Sequence, residues 1–134
     1  MKEAVRAWRR NGAEIDLHIE EETTLILKPM AFGRCLDNLI ANARRHGKHI
    51  WIQIGKRRSG IEITIDDDGP GIPRTERQNV FRPFYRLDES RNPRTGGNGL
   101  GLAIARDIAR AHGGDIELEE APQGGLRARI RLPL

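Results

Sequence analysis

Apolar and polar positions change rhythm several times along this chain, and each change marks an element. Ile15, Leu17 and Ile19 alternate with Asp16 and His18, which predicts a half-buried strand, and Leu25 to Leu27 continue as another. From Pro29 the period lengthens. Phe32, Cys35, Leu36, Leu39, Ile40 and Ala43 follow helical spacing in one core stripe, so a helix is expected from Pro29 to about His46, with Gly47 as its stop. Alternation returns at Ile50, Ile52 and Ile54, turns through Lys56 to Gly60, and resumes over Ile61 to Ile65, predicting a hairpin. After the Asp67 to Gly71 loop a short helix is expected near Pro73. Residues 82–98 have no clean period. A helix from Gly99 to His112 follows, with Leu100, Ile104 and Ile108 at four-residue steps, Arg106 and Arg110 outward, and Gly113-Gly114 as its stop. Ile116 and Leu118 form a strand, and Pro122 to Gly125 turns into the closing strand. Residues 2–11 read as a helix ending at Gly12, with no evident start.

Three main helices and about six strands, mostly in hairpins, predict an α+β fold. It is a two-layer sandwich in which a mostly antiparallel mixed sheet carries its helices on one face. The length of 134 residues suits one domain. No apolar run approaches the ~20 residues that cross a bilayer, and the first residues do not form a signal peptide. The net charge of +4 raises the question of nucleic acid. Aromatic residues are only 4%, too few for base-stacking platforms, and Arg127, Arg129 and Arg131 alternate with apolar residues as on the solvent face of a sheet. Cys35 is the one cysteine, which excludes an intramolecular disulfide and assigns it to the core stripe.

Candidate chemistry lies in two glycine clusters and one helix flank. Asp67-Asp68-Gly69-Pro70-Gly71 puts carboxylates on an uncrowded backbone, able to accept from the amino group of a purine at roughly 1.5–3 kcal/mol per charged hydrogen bond. Which of Asp66, Asp67 and Asp68 points inward is open at this level, as is a metal or turn role for the three. Gly96-Gly97-Asn98-Gly99-Leu100-Gly101 opens a helix, whose free N–H groups and dipole favour an anion by ~0.3–1 kcal/mol. It lacks the Lys-Ser/Thr ending of a P-loop. On the middle helix, 100° steps place Asn38, Asn42 and Arg45 within about 60° of one another at the rim of the core. Such a flank is either solvated surface or a place where an amide oxygen meets a hard cation and an arginine meets phosphate.

The order of these parts resembles sensor histidine kinases. Leu36 to His46 resembles their N box, Asp67 to Ile72 the G1 box, Phe81-Arg82-Pro83-Phe84 the F box, and Gly97 to Leu102 the G2 box; the likeness covers about residues 13–134 and is strongest to the osmosensor class. It implies the Bergerat sandwich shared with gyrase, the Hsp90 chaperones and MutL. It also implies binding of ATP with Mg²⁺ and transfer of the γ-phosphate to a histidine on an upstream dimerisation domain, for relay to a response regulator. By position, Asn42 ligates Mg²⁺, Asn38 lines the phosphate site, Arg45 meets phosphate, and His46 stands where tyrosine is frequent. Asp67 takes the adenine amino group, while Gly69, Gly71 and Ile72 border the base. Residues 82–98 become a lid over the nucleotide. Phe81 and Phe84 anchor it, or are plain core. Arg86 and Arg91 reach the terminal phosphates, or are solvated loop arginines. Gly97, Gly99, Leu100, Gly101 and Leu102 form the hinge and phosphate seat. Hydrolases of this fold have Glu four residues before the metal-binding Asn; Asn38 stands there, so hydrolysis is expected to be slow. None of the four histidines has the setting of a phosphoacceptor. Residues 1–12 are therefore expected to be the end of an upstream helix or linker, and the chain a cytoplasmic piece of a dimeric kinase of the bacterial inner membrane. A nucleotide-sensing docking module is the rival reading.

Overall fold

Isoleucines at every second position build the sheet, and two helices, the first begun by a proline, cover it. In the computed structural model the described residues are 6, 8–10, 12, 14–19, 29–57, 60–83 and 101–133. The elements run β1 (Glu14–Ile19), α1 (Pro29–His46), β2 (His49–Arg57), β3 (Gly60–Asp67), 3₁₀ turns at Arg74–Glu76 and Asn79–Phe81, α2 (Gly101–Ala111), β4 (Asp115–Glu120) and β5 (Leu126–Pro133). The five strands lie in the order β1-β2-β3-β5-β4. β1 and β2 are parallel, with α1 between them in sequence, and the other pairs are antiparallel. The sixth expected strand, Leu25–Leu27, lies outside the described residues. Residues 6 and 8–10 are helical, and Gly12 ends them at a φ of 89°.

Both helices cover the isoleucine face. Ile52, Ile63 and Ile130 are fully enclosed against Cys35, Leu39 and Ile40 of α1 and Ala105 and Ala109 of α2. Burying a side chain of this size is worth about 1.5–3 kcal/mol. The α2 stripe differs from expectation by one position: burial centres on Ala105 and Ala109, while Ile104 and Ile108 are only half-buried. Alanines let α2 approach α1 closely enough for the Cys35 thiol to donate to the Ala105 carbonyl at 3.4 Å. Burial pushes that thiol's pKa up to about 12. Gly113 and Gly114 close α2 with amides bonded to the Arg110 and Ala109 carbonyls, a Schellman ending. The single short helix expected near Pro73 is instead two 3₁₀ turns.

The opposite face carries cross-strand ion pairs. Arg127 meets Asp66, Arg129 meets Glu62 and Glu119, and Arg131 meets Glu117, so the arginine stripe of β5 is matched by carboxylates. At its edge His49 of β2 pairs with Asp16 (2.9 Å) and Glu14 (3.4 Å) of β1. The Asp16 hydrogen bond chiefly, then Glu14, raises the His49 pKa. A raised histidine pKa gives stability that is full below the unfolded value of about 6.5 and lost as pH rises through the folded value. Amide exchange in β1 is therefore expected to quicken as pH rises through that window, beyond the intrinsic base catalysis. His49→Gln should abolish the excess; an unchanged profile in that variant would show that the pair does not hold β1. For so exposed a pair the effect is under about 1 kcal/mol.

Candidate functional site

The three consecutive aspartates at the end of β3 face three directions. Asp67 shares the helix-facing side with Ile61, Ile63 and Ile65 and is 1% exposed. Its Oδ1 accepts from the Gly69 N–H (2.9 Å) and from the Leu126 N–H at the start of β5 (3.1 Å). Asp66 points to the open face, where Arg127 grips it through Nε and Nη2, both at 2.7 Å. Asp68 is exposed and accepts from the Lys48 (2.7 Å) and His49 (3.1 Å) N–H groups. Those backbone bonds, that of His49 first, lower its pKa. The inward carboxylate is thus Asp67, and the other two brace the turn from outside.

Glycines set how closely the surrounding backbone approaches. Gly71 has a φ of 75°, and a Cβ there would lie 3.5 Å from the Gly124 and Gly125 carbonyl oxygens. A Cβ on Gly125 would meet the Asp67 carbonyl oxygen at 2.0 Å and Oδ1 at 2.5 Å. A Cβ on Gly47 would meet Asp68 Oδ1 at 2.6 Å and the Asp67 Cβ at 3.1 Å, which fixes the end of α1 beside the aspartate turn. Ile72 is half-buried and its carbonyl accepts from Arg77 Nε at 3.2 Å.

On α1, Asn42 is 9% exposed. Asn38, one turn earlier, is half-buried, and its Nδ2 is enclosed without a hydrogen-bond partner among the described residues. Arg45 is exposed at the last turn, and His46 ends the helix. Asp37 lies round the helix, exposed, and accepts from the Trp8 indole N–H at 3.1 Å. The direction of α2 follows from its ending. Gly113 lies against Pro133 and Gly114 against Arg131, at the end of the sheet where Gly60 pairs with Pro133. Gly101 therefore starts α2 from the Asp67 end, with Leu102 packed on the core. The end of α1, the aspartate turn and the start of α2 share one end of the sandwich. Phe84, Arg86, Arg91, Gly97, Gly99 and Leu100 lie outside the described residues, as do the side chains of Phe32 and His46.

Phe81 is 7% exposed and belongs to the core. Arg106 stacks over it at 4.2 Å from the ring centroid, while bonding Asp115 (3.0 Å) and Gln78 (3.2 Å). The expectation of an outward Arg106 is corrected: the 3₁₀ segment folds back over α2 and covers its stem. Arg110 is exposed as expected.

Residues 27–134 match the family described as histidine kinase-, DNA gyrase B-, and HSP90-like ATPase. This chain belongs to that family. Among its relatives in the family, sensor histidine kinase CpxA of Escherichia coli K12 is 46% identical over 108 residues, 79% of this chain and 23% of that protein. Sensor-type histidine kinase PrrB of Mycobacterium tuberculosis H37Rv is 40% identical over 124 residues, 90% of this chain and 27% of that protein. The chain therefore spans about a quarter of the length of these curated relatives. Of solved structures, the mycobacterial sensor histidine kinase MprB superposes with a TM-score of 0.82 at 28% identity, covering 98% of this chain and 90% of that one. The ATP binding domain of PrrB from M. tuberculosis superposes with a TM-score of 0.76 at 34% identity, covering 98% and 88%. The α+β sandwich expected from the sequence is the fold of these ATPase domains.

Within this ATPase framework the donor set suits a hard cation that brings other ligands with it. Among the described residues no three His, Cys, Asp or Glu side chains cluster around one point. The Asn42 amide oxygen, one turn from an Asn38 Nδ2 that is enclosed without a partner among the described residues, fits Mg²⁺, which keeps waters and phosphate oxygens about it. The residues that sequence reasoning missed are Leu126, through its backbone N–H, and Gly125 and Gly47, through the absence of a side chain. The Gly124-Gly125 pair was visible, but as a turn and not as the wall behind Asp67. Among the described residues no helix is long and apolar enough to cross a membrane.

Proposed function

We propose that this chain is the ATP-binding catalytic domain of a two-component sensor kinase, transferring the γ-phosphate of Mg-ATP to a histidine on a separate dimerisation domain. The observation that carries the reading is Asp67, enclosed and with its Oδ1 held by two backbone N–H groups, at the end of the sandwich where Gly47 closes α1. Asp67 accepts from the adenine amino group, and Gly69, Gly71 and Ile72 border the base. Asn38 lines the phosphate site, and Arg45 adds charge at the rim. Asn42 holds Mg²⁺ through its amide oxygen. When bound, Mg²⁺ neutralises charge on the phosphate oxygens. The N–H groups at Gly101 and Leu102 seat the anion at the helix start, with Gly97, Gly99 and Leu100 before them. Phe84 anchors the lid, and Arg86 and Arg91 approach the terminal phosphate. The imidazole nitrogen of the acceptor attacks phosphorus, the bond to the ADP oxygen breaks, and ADP leaves. The protein's part is positioning and electrostatics.

Asn38 has no basic oxygen to activate water, and Asp37 is turned away and engaged by Trp8. Water is thus a poor nucleophile here and the histidine takes the phosphoryl group. We infer that residues 1–12 link to the dimerisation domain, that 13–134 form the catalytic unit, and that a response regulator receives the phosphoryl group. The parent is then a dimer at the bacterial inner membrane, with this part in the cytoplasm. The test mixes the chain, labelled Mg-ATP and a dimerisation domain carrying the acceptor histidine. Acid-labile label is expected on that domain and not on this chain. Asp37→Ala is expected to leave the slow ATP turnover unchanged while costing roughly 0.5–1.5 kcal/mol of stability through the lost Trp8 bond. Fast turnover that vanishes in Asp37→Ala would identify a hydrolase. Binding without labelling would identify a docking module.

A further inference from the structure

The Arg127–Asp66 pair lies on the sheet face that no helix among the described residues covers, yet it adjoins the proposed adenine acceptor on both strands. Asp66 and Arg127 are directly opposed, the last cross-strand pair of β3 and β5. One step further, at Asp67 and Leu126, the ladder no longer continues backbone to backbone. The Leu126 N–H bonds the Asp67 carboxylate instead, at 3.1 Å. Consecutive side chains on a strand point to opposite faces, so Arg127 is kept from the nucleotide by the sheet itself.

We propose that Arg127 is a positioning residue for adenine recognition: by gripping Asp66 on the open face it fixes the end of the β3–β5 ladder, and so holds the Leu126 N–H where it orients the Asp67 carboxylate on the other. The grip is bidentate and part-enclosed, with Asp66 at 4% exposure, which gives it angular as well as distance control. Arg129, two residues along, is engaged by Glu62 and Glu119, so Asp66 is the direct partner that Arg127 binds. Arg131 pairs with Glu117 at the far end of the strand and serves as a control. Lysine at position 127 keeps the charge but, as a point-like ammonium, lacks the planar fork.

The proposal rests on the nucleotide reading above, and the experiment separates the two. Affinity of the chain is measured with Mg²⁺ for ATP and for purine riboside triphosphate, which is ATP without the 6-amino group. Wild type is expected to prefer ATP by about tenfold or more. Arg127→Lys and Asp66→Asn are each expected to shrink that preference to about threefold or less by weakening ATP alone, leaving the affinity for the analogue nearly unchanged. Arg131→Lys is expected to keep the wild-type preference. Amide exchange at Leu126 should quicken in Arg127→Lys and Asp66→Asn, and it is readable even where a variant is too unstable for titration. Variants that melt earlier but keep the preference and the Leu126 protection would reduce Arg127 to a structural ion pair and overturn the proposal. Wild type that binds neither triphosphate, or both equally, would overturn the adenine reading itself.

Discussion

Asp67→Asn is expected to weaken ATP binding roughly 10- to 150-fold while the fold survives. The amide oxygen of asparagine can still accept from the Gly69 and Leu126 N–H groups that hold Oδ1, so the turn keeps its shape. With that oxygen so engaged, the other end of the side chain becomes an NH₂ group, and it faces the adenine amino group donor to donor. A charged acceptor is lost and a repulsive contact replaces it. Calorimetric titration with ADP and Mg-ATP, beside a thermal melt of the same samples, checks both halves. Undiminished affinity in a folded variant would remove Asp67 from the site.

The second large effect comes from a residue with no side chain. Gly125→Ala places a methyl group 2.0 Å from the Asp67 carbonyl oxygen and 2.5 Å from its Oδ1, contacts that no rotamer relieves because the Cβ is fixed to the backbone. Either the β4–β5 turn lifts away or the end of β3 shifts. The expected cost is about 1–3 kcal/mol, seen as a melting point several degrees lower. ATP binding should fall as well, because Leu126 moves with its neighbour. Gly124→Ala is the contrasting case. Its φ of 94° strains alanine by roughly 1–2 kcal/mol, but a Cβ there meets nothing within 4 Å, so the binding loss should be smaller. Wild-type melting and binding in Gly125→Ala would mean that the turn does not back the aspartate.

Local periodicity carried most of the architecture. Pro29 and the stripe from Cys35 to Ala43 placed α1 and its end at His46, because a proline start and a 3.6-residue period are properties of one segment. The β2–β3 hairpin was legible for the same reason. The misreadings occurred where distant segments decide. Four-residue steps along α2 suggested Ile104 and Ile108, but α2 packs against α1 as well as the sheet, and the small Ala105 and Ala109 sit at the centre of that contact. Arg106 looked solvated until the 3₁₀ segment brought Phe81 beneath it. Three identical aspartates in a row could not be told apart from their own sequence. Strand alternation sorts Asp66 from Asp67, but which face is inward depends on the helices, and one of the two donors that fix Asp67, the Leu126 N–H, comes from 59 residues further on. The family boxes named the aspartate; the β5 start explains why it stays put.

The sulfur of Cys35, sealed between the two helices and almost wholly protonated at neutral pH, gives the molecule an internal stopwatch. A soluble alkylating reagent meets a reactive thiolate there only after α1 and α2 part, so the rate of modification at saturating reagent counts separations of those helices with no label added.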